Sequence, residues 1–137
     1  MNGPSARLPW WRRWFGTRSE RVAARHLRHL GYRILARNYT CPHGEIDLIA
    51  VLDGCVVFVE VRSTESADGE RPAASVDAVK QAKLTRVALH FLAAKRLLDH
   101  PARFDVMTLH TPAGAREPVV THYPHAFEAV GRFQMHS

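Results

Sequence analysis

The chain has 137 residues, enough for one domain with its own core, and its 46% apolar content is that of an ordinary globular protein. Two cysteines, Cys41 and Cys55, exclude a disulfide framework, and no run of about 18 apolar residues exists to span a membrane as a helix. The net charge of +6 rests on 16 Arg against 3 Lys, which suits bidentate phosphate contacts without requiring a polyanionic partner.

Met1 to Phe15 lacks the apolar stretch of a signal peptide and reads as a basic, aromatic arm around Pro9-Trp10-Trp11-Arg12-Arg13-Trp14-Phe15. Three readings of the arm stay open: an interfacial anchor, a base-stacking arm, or a tail that packs back on the domain or stays disordered. Residues 16–128 read as one domain and 129–137 as a tail. Thr17-Arg18-Ser19-Glu20 has the form of a capping box, predicting a helix to about Leu30 that buries Val22, Ala23, Leu27 and Leu30. Gly31 is placed to end it. Tyr32 to Tyr39 predicts a first strand, followed by a turn at Cys41-Pro42-His43-Gly44. Two further strands, Glu45–Val51 and Val56–Arg62, flank Asp53-Gly54, the strongest short-range hairpin signal. Ser63 to Ala74 reads as a mobile loop. A long helix is expected from about Ser75 to Leu98, with an apolar stripe of Val76, Val79, Leu84, Val87, Phe91 and Leu98. Arg103 to His110 predicts another strand, Glu117 to Tyr123 an edge strand, and the region near Phe127 a short helix or tail. The order is that of a mixed sheet flanked by helices, an α/β fold.

The hairpin fixes a register. With Asp53-Gly54 as the loop, Leu52 pairs with Cys55, Val51 faces Val56, Ile49 faces Phe58, Asp47 faces Glu60, and Glu45 faces Arg62. Opposed like charges destabilise a sheet, the more so along strands this apolar. A divalent cation converts that repulsion into ligation. Two solvated strand-end carboxylates are the plain alternative. Glu60 and Arg62, two apart on one strand, share the face that Asp47 joins.

An Asp followed by an acid-x-base tripeptide on the neighbouring strand is the pattern of the PD-(D/E)xK nuclease superfamily, read here as Asp47 with Glu60-Val61-Arg62. More of the chain agrees. Gly31-Tyr32, Ile34–Tyr39, Gly44–Ile49, Phe58–Arg62, Val79-Lys80-Gln81, Arg103–Val106 and Ala126-Phe127 closely resemble the bacterial YraN family, over roughly Gly16 to Phe127. The resemblance implies a restriction-endonuclease-like fold with an αβββαβ core, near the Holliday-junction resolvases. It implies that Asp47, Glu60 and the Val61 carbonyl hold Mg²⁺ or Mn²⁺, and that Glu20 on the first helix supplies a further acid. Resolvase-type relatives also make a homodimer an expectation. The departure is Arg62, where the family pattern has Lys. Arginine keeps the charge and is effectively never deprotonated, so a base role is excluded while electrostatic stabilisation is not.

On the long helix Lys80, Lys83, Arg86 and His90 recur along one face, where they would track phosphates or line a solvated surface. Lys80 and Gln81 are its best nucleic-acid candidates. Asp105 reads as structural. The histidines have no ligand spacing with a cysteine partner, which argues against zinc, and no Gly-rich phosphate loop or Gly-x-Ser-x-Gly elbow is present. The leading expectation is a cytoplasmic, metal-dependent endonuclease acting on DNA, branched or structured DNA included. A nucleic-acid-binding protein of nuclease fold, weakened in catalysis by Arg62, is the second. The third is a protein-interaction subunit using the Trp10-Trp11-Trp14 arm.

Overall fold

The hairpin forms in the predicted register from Leu52↔Cys55 to Leu48↔Val59, but the predicted facing of Asp47 and Glu60 is not part of the pairing, because the ladder stops at Leu48. Strands β2 (Gly44–Leu52) and β3 (Cys55–Thr64) pair antiparallel, with Leu52 opposite Cys55, Val51 opposite Val56 and Ile49 opposite Phe58. Asp53 and Gly54 adopt φ of 50° and 81°, the double left-handed turn that matches the twist of its strands. The structure, a computed structural model, describes residues 10–64 and 76–129. Met1 to Pro9 of the arm, 65–74 of the predicted loop, and 130–137 of the tail lie outside the described residues.

Five strands form one sheet in the order β1-β2-β3-β4-β5, where β1 is Arg33–Cys41, β4 Ala102–His110 and β5 Val119–Phe127. Only β3 and β4 run parallel, because the connection between them is a crossover through a helix, here α2 (Ala78–Ala94). Helix α1 (Trp10–His29) covers the opposite face. Alternation along β3 sorts its side chains. Val56 and Phe58 pack with Leu84, Val87, Phe91 and Leu92 of α2, whereas Val57 and Val59 pack with Ala23, Ala24 and Leu27 of α1. Phe58 sits edge-on to Phe91, with ring centroids 6.0 Å apart. Gly44 (φ 140°) lets α2 approach: a Cβ there would meet Lys83 Cδ at 3.3 Å. Among the described residues, this mixed five-stranded sheet with two helices is consistent with the restriction-endonuclease-like α/β fold that the resemblance implies.

Several expectations are corrected. Helix α1 begins at Trp10, so Thr17 lies inside it and the Thr17–Glu20 capping box is not its start. Gly31 (φ 95°) does close it, with Tyr32 N–H donating to the Leu27 carbonyl at 3.0 Å. Leu30 is exposed, because it falls past the last turn and off the stripe. Helix α2 is shorter than predicted. Asp77 caps it by accepting from the Lys80 N–H (2.8 Å), and Lys95 ends it. Val79 and Leu98 are therefore exposed instead of lining its buried face. The region around Phe127 is neither helix nor tail: β5 runs through it, and Phe127 stacks on Phe104 at 4.7 Å.

Candidate active site

The pleat of β2 breaks at Asp47, and carboxylates gather there. On β2, Leu48 and Ala50 face α1 and Ile49 faces α2, yet Ile46 also packs on the α2 side. Strict alternation would put Ile46 with Leu48, so the sense of the strand flips at Asp47. Across the ladder, Arg37 pairs with Leu48 and Tyr39 with Ile46, which leaves Asn38 opposite Asp47. Asn38 has φ 53°, a left-handed conformation in mid-strand that Asn tolerates better than most residues. The β2–β3 ladder stops at Leu48↔Val59. One step beyond, the Asp47 carboxylate replaces the backbone partner: Val61 N–H donates to its Oδ2 at 2.8 Å.

Glu60 continues the α2-facing row of Val56 and Phe58, at the point where the apolar row ends. It is 9% exposed. Lys80, in the first turn of α2, places Nζ 2.9 Å from Glu60 Oε2, and Arg62 Nε lies 3.9 Å from the same oxygen. Arg62 Nε is buried with no hydrogen-bond partner. Glu45 stands opposite Thr40 on β1, outside the β2–β3 ladder, so the predicted facing of Glu45 and Arg62 is not part of the pairing.

Glu20 arrives from the other face. It precedes Ala23, Ala24 and Leu27 at helical spacing and is buried with them, 4% exposed. Burial raises the Glu20 carboxyl above its usual range; the Asn38 and Asp47 side chains, which hydrogen-bond it, oppose that, and the Glu45 charge adds to it. Its Oε1 has no partner. Asp47 is thus flanked by Glu20 and Glu60. Its carboxyl is pushed up to about 7, first by burial and then by the Glu60 charge, with the Val61 N–H working the other way. Among the described residues no group of three or more His, Cys, Asp or Glu side chains is placed to hold a metal ion. The site has instead a central Asp, two acids flanking it and two cations beyond Glu60. Carboxylate oxygens are the donor type that a hard divalent cation takes, and one buried oxygen here, Glu20 Oε1, lacks a partner.

The other predicted residues are arranged as follows. Gln81 donates from Nε2 to the Val76 carbonyl at 2.6 Å, bracing the entry to α2. Lys83 lays its stem on Gly44, Arg86 is exposed, and His90 Nδ1 meets Tyr39 Oη at 2.7 Å. The stripe Lys80-Lys83-Arg86-His90 is therefore not one free track, since Lys80 turns inward and His90 is tied to β1. Asn38 is the residue that sequence reasoning missed. An Asn within a strand pattern, where it is disfavoured, was the available signal.

A second acid is buried elsewhere. Asp105, fully buried on the α1 side, accepts from Arg103 Nε (3.0 Å), His122 Nε2 (2.7 Å) and the His125 N–H (3.0 Å). Burial alone would raise its carboxyl, but these donors, His122 first, hold it below the usual range. Arg103 also donates to Tyr32 Oη at 2.7 Å. No described helix is long and apolar enough to cross a membrane.

Fold and site define an α/β protein of nuclease-like fold whose sheet carries a row of carboxylates edged by cations. The profile of uncharacterised protein family UPF0102 matches residues 19–109. A UPF0102 protein of Rhodopirellula baltica is 42% identical over 119 residues, covering 85% of this chain and 71% of the relative. One of Roseiflexus castenholzii is 40% identical over 129 residues, 93% and 98% of the two chains. One of Moorella thermoacetica is 43% identical over 98 residues, 72% and 82%. The chain belongs to the UPF0102 family, the YraN proteins.

Proposed function

We propose that this protein is a metal-dependent endonuclease that hydrolyses phosphodiester bonds in DNA, with branched DNA among its substrates. The observation that carries the reading is Asp47: a half-buried strand acid, pushed up to about 7 beside Glu20 and Glu60, where an apolar sheet has no structural need for it. Asp47 and Glu60, with the Val61 carbonyl, would hold Mg²⁺ or Mn²⁺. The N–H and C=O of one strand residue point to the same edge, so Val61, whose N–H meets Asp47, directs its carbonyl toward β2 as well. Bound there, the ion supplies Lewis-acid polarisation of the phosphate and activation of water. Glu20 orients that water or completes a second position. Arg62 and Lys80 offset the charge that develops on the phosphoryl oxygens. A cytoplasmic homodimer is part of the same reading, checked by light scattering.

The test is cleavage of duplex, single-stranded and branched DNA with Mg²⁺ or Mn²⁺ by wild type and Asp47→Ala. Equal activity in the two refutes the site. A second reading, a DNA-binding protein of nuclease fold with little catalysis, is favoured by Arg62, whose unpartnered Nε sits where the family pattern has Lys. It predicts salt-sensitive DNA binding that survives Glu60→Ala, and no cleavage in any metal.

A further inference from the structure

We propose that Lys80 is the exchangeable counter-ion of this site: it neutralises Glu60 in the metal-free protein, releases it to an incoming divalent ion, and turns to the DNA phosphate. The inference rests on the reading just given and extends it to a residue outside the strand motif. Two cations border Glu60, and the structure distinguishes them. Lys80 Nζ makes the close contact, 2.9 Å from Oε2, whereas Arg62 Nε stands off at 3.9 Å. The Lys80 side chain is 43% exposed and that of Arg62 27%, with its Nε buried. Lysine is a point charge on a flexible four-carbon stem, and guanidinium is a rigid planar fork. The Lys80 backbone is anchored, its N–H held by Asp77 Oδ1 at 2.8 Å. Its Cα is therefore fixed beside Glu60, while the flexible stem lets Nζ swing away once that ion pair opens.

The consequence is competition. A divalent ion that takes Glu60 Oε2 meets an ammonium already within hydrogen-bonding distance of that oxygen, and repulsion between the two positive charges favours departure of Nζ. Displaced, Nζ has the solvent-facing rim available, which is where a phosphate would lie. Lys80 thus lowers metal affinity in the free protein and adds a phosphate contact only when metal is loaded.

Mn²⁺ titration of the full chain without DNA, read by the free-ion paramagnetic signal, tests the first half. Lys80→Met keeps the stem and removes the charge; it is expected to bind Mn²⁺ about three- to fivefold more tightly, the scale of a partly exposed ion pair. Lys80→Arg is expected to stay near wild type. DNA binding against salt, in Ca²⁺ and in EDTA, tests the second half. The salt slope of Lys80→Met is expected to be shallower by about one than that of wild type in Ca²⁺ and equal to it in EDTA. Equal or weaker Mn²⁺ binding by Lys80→Met overturns the exchange while leaving the metal site standing. No Mn²⁺ binding by wild type or variant removes the metal reading itself. Tighter Mn²⁺ binding with an unchanged slope in Ca²⁺ overturns the transfer to phosphate.

Discussion

Asp47→Asn separates a site acid from a structural one, because the two classes respond to it with opposite signs. Asn is isosteric and can still accept the Val61 N–H, so the substitution removes charge and little else. The Asp47 carboxyl ordinarily titrates near 3.8 and is pushed here to about 7. That difference corresponds to as much as about 4 kcal/mol. Asp47 is only partly buried by its exposed surface, so solvent screening reduces the figure to about 2 kcal/mol. The folded value lies above the unfolded one. Below about pH 4 both states are protonated and the group costs nothing. Between about 4 and 7 the unfolded chain ionises first, and stability drains away as pH rises. At pH 8 the penalty is complete. Asp47→Asn should therefore stabilise the metal-free protein by about 2 kcal/mol at pH 8, a rise of about 6 °C in Tm, and by almost nothing at pH 4. Urea denaturation in EDTA at both pH values measures this. Adding Mn²⁺ at pH 8 should raise the Tm of wild type and leave that of the variant unchanged. A variant less stable than wild type at pH 8, or a gain independent of pH, would falsify the account of Asp47 as an acid under repulsion.

Asp105→Asn should behave in the opposite way, losing about 3 kcal/mol at pH 7 because Arg103 and His122 lose a buried charge partner. Since the Asp105 carboxyl is held below its usual range, its contribution is present above the unfolded value near 4 and fades as pH falls through the lower folded value; urea curves of the two proteins should converge at low pH. Arg62→Lys should increase Mn²⁺-dependent cleavage about tenfold or more, read on supercoiled plasmid, if the guanidinium is what limits the chemistry; an inactive variant together with inactive wild type favours the binding-only reading. Asn38→Gly should cost less stability than Asn38→Ala by about 1 kcal/mol in thermal melts, because glycine accepts φ 53° and alanine does not. Equal losses would assign the role of Asn38 to its carboxamide alone.

What could be read from the sequence was what local chemistry determines. Asp53-Gly54 admits one tight turn, and once that turn is fixed every partner from Leu52↔Cys55 to Leu48↔Val59 follows by counting. The same counting places Glu60 and Arg62 on the face of Phe58. It fails at Asp47, because a strand that flips its pleat has no local sequence signature except an Asn where a β-branched residue is expected. Elsewhere the local signals competed with context. Thr17-Arg18-Ser19-Glu20 offers a cap, but a helix already under way from Trp10 runs through it. Pro124 argues against a strand, yet β5 is the edge of the sheet, where a missing N–H is tolerated. Glu20 was reached only through the family resemblance, as an acid on the first helix, and only tertiary packing shows which carboxylates it meets.

Asp47 and Asp105 make the strongest argument about where function lies. Both sit where a ladder is interrupted, Asp47 past Leu48↔Val59 and Asp105 at the register shift between Phe104 and Val106. Both accept a backbone N–H from the neighbouring strand, Val61 in one case and His125 in the other. In that backbone hydrogen bond they are alike. Their electrostatics are opposite. Asp105 is surrounded by donors and a guanidinium, and its carboxyl is held low; that environment is complete without any ligand. Asp47 is given one backbone donor and two acids, and its carboxyl is driven up. The fold therefore demonstrates at Asp105 how it satisfies a buried carboxylate when structure is the only demand. At Asp47 it withholds the same provision and sets Glu20 and Glu60 alongside, while Lys80 and Arg62 pair with Glu60 alone, so the repulsion on Asp47 is relieved by a proton or by a cation from outside the chain.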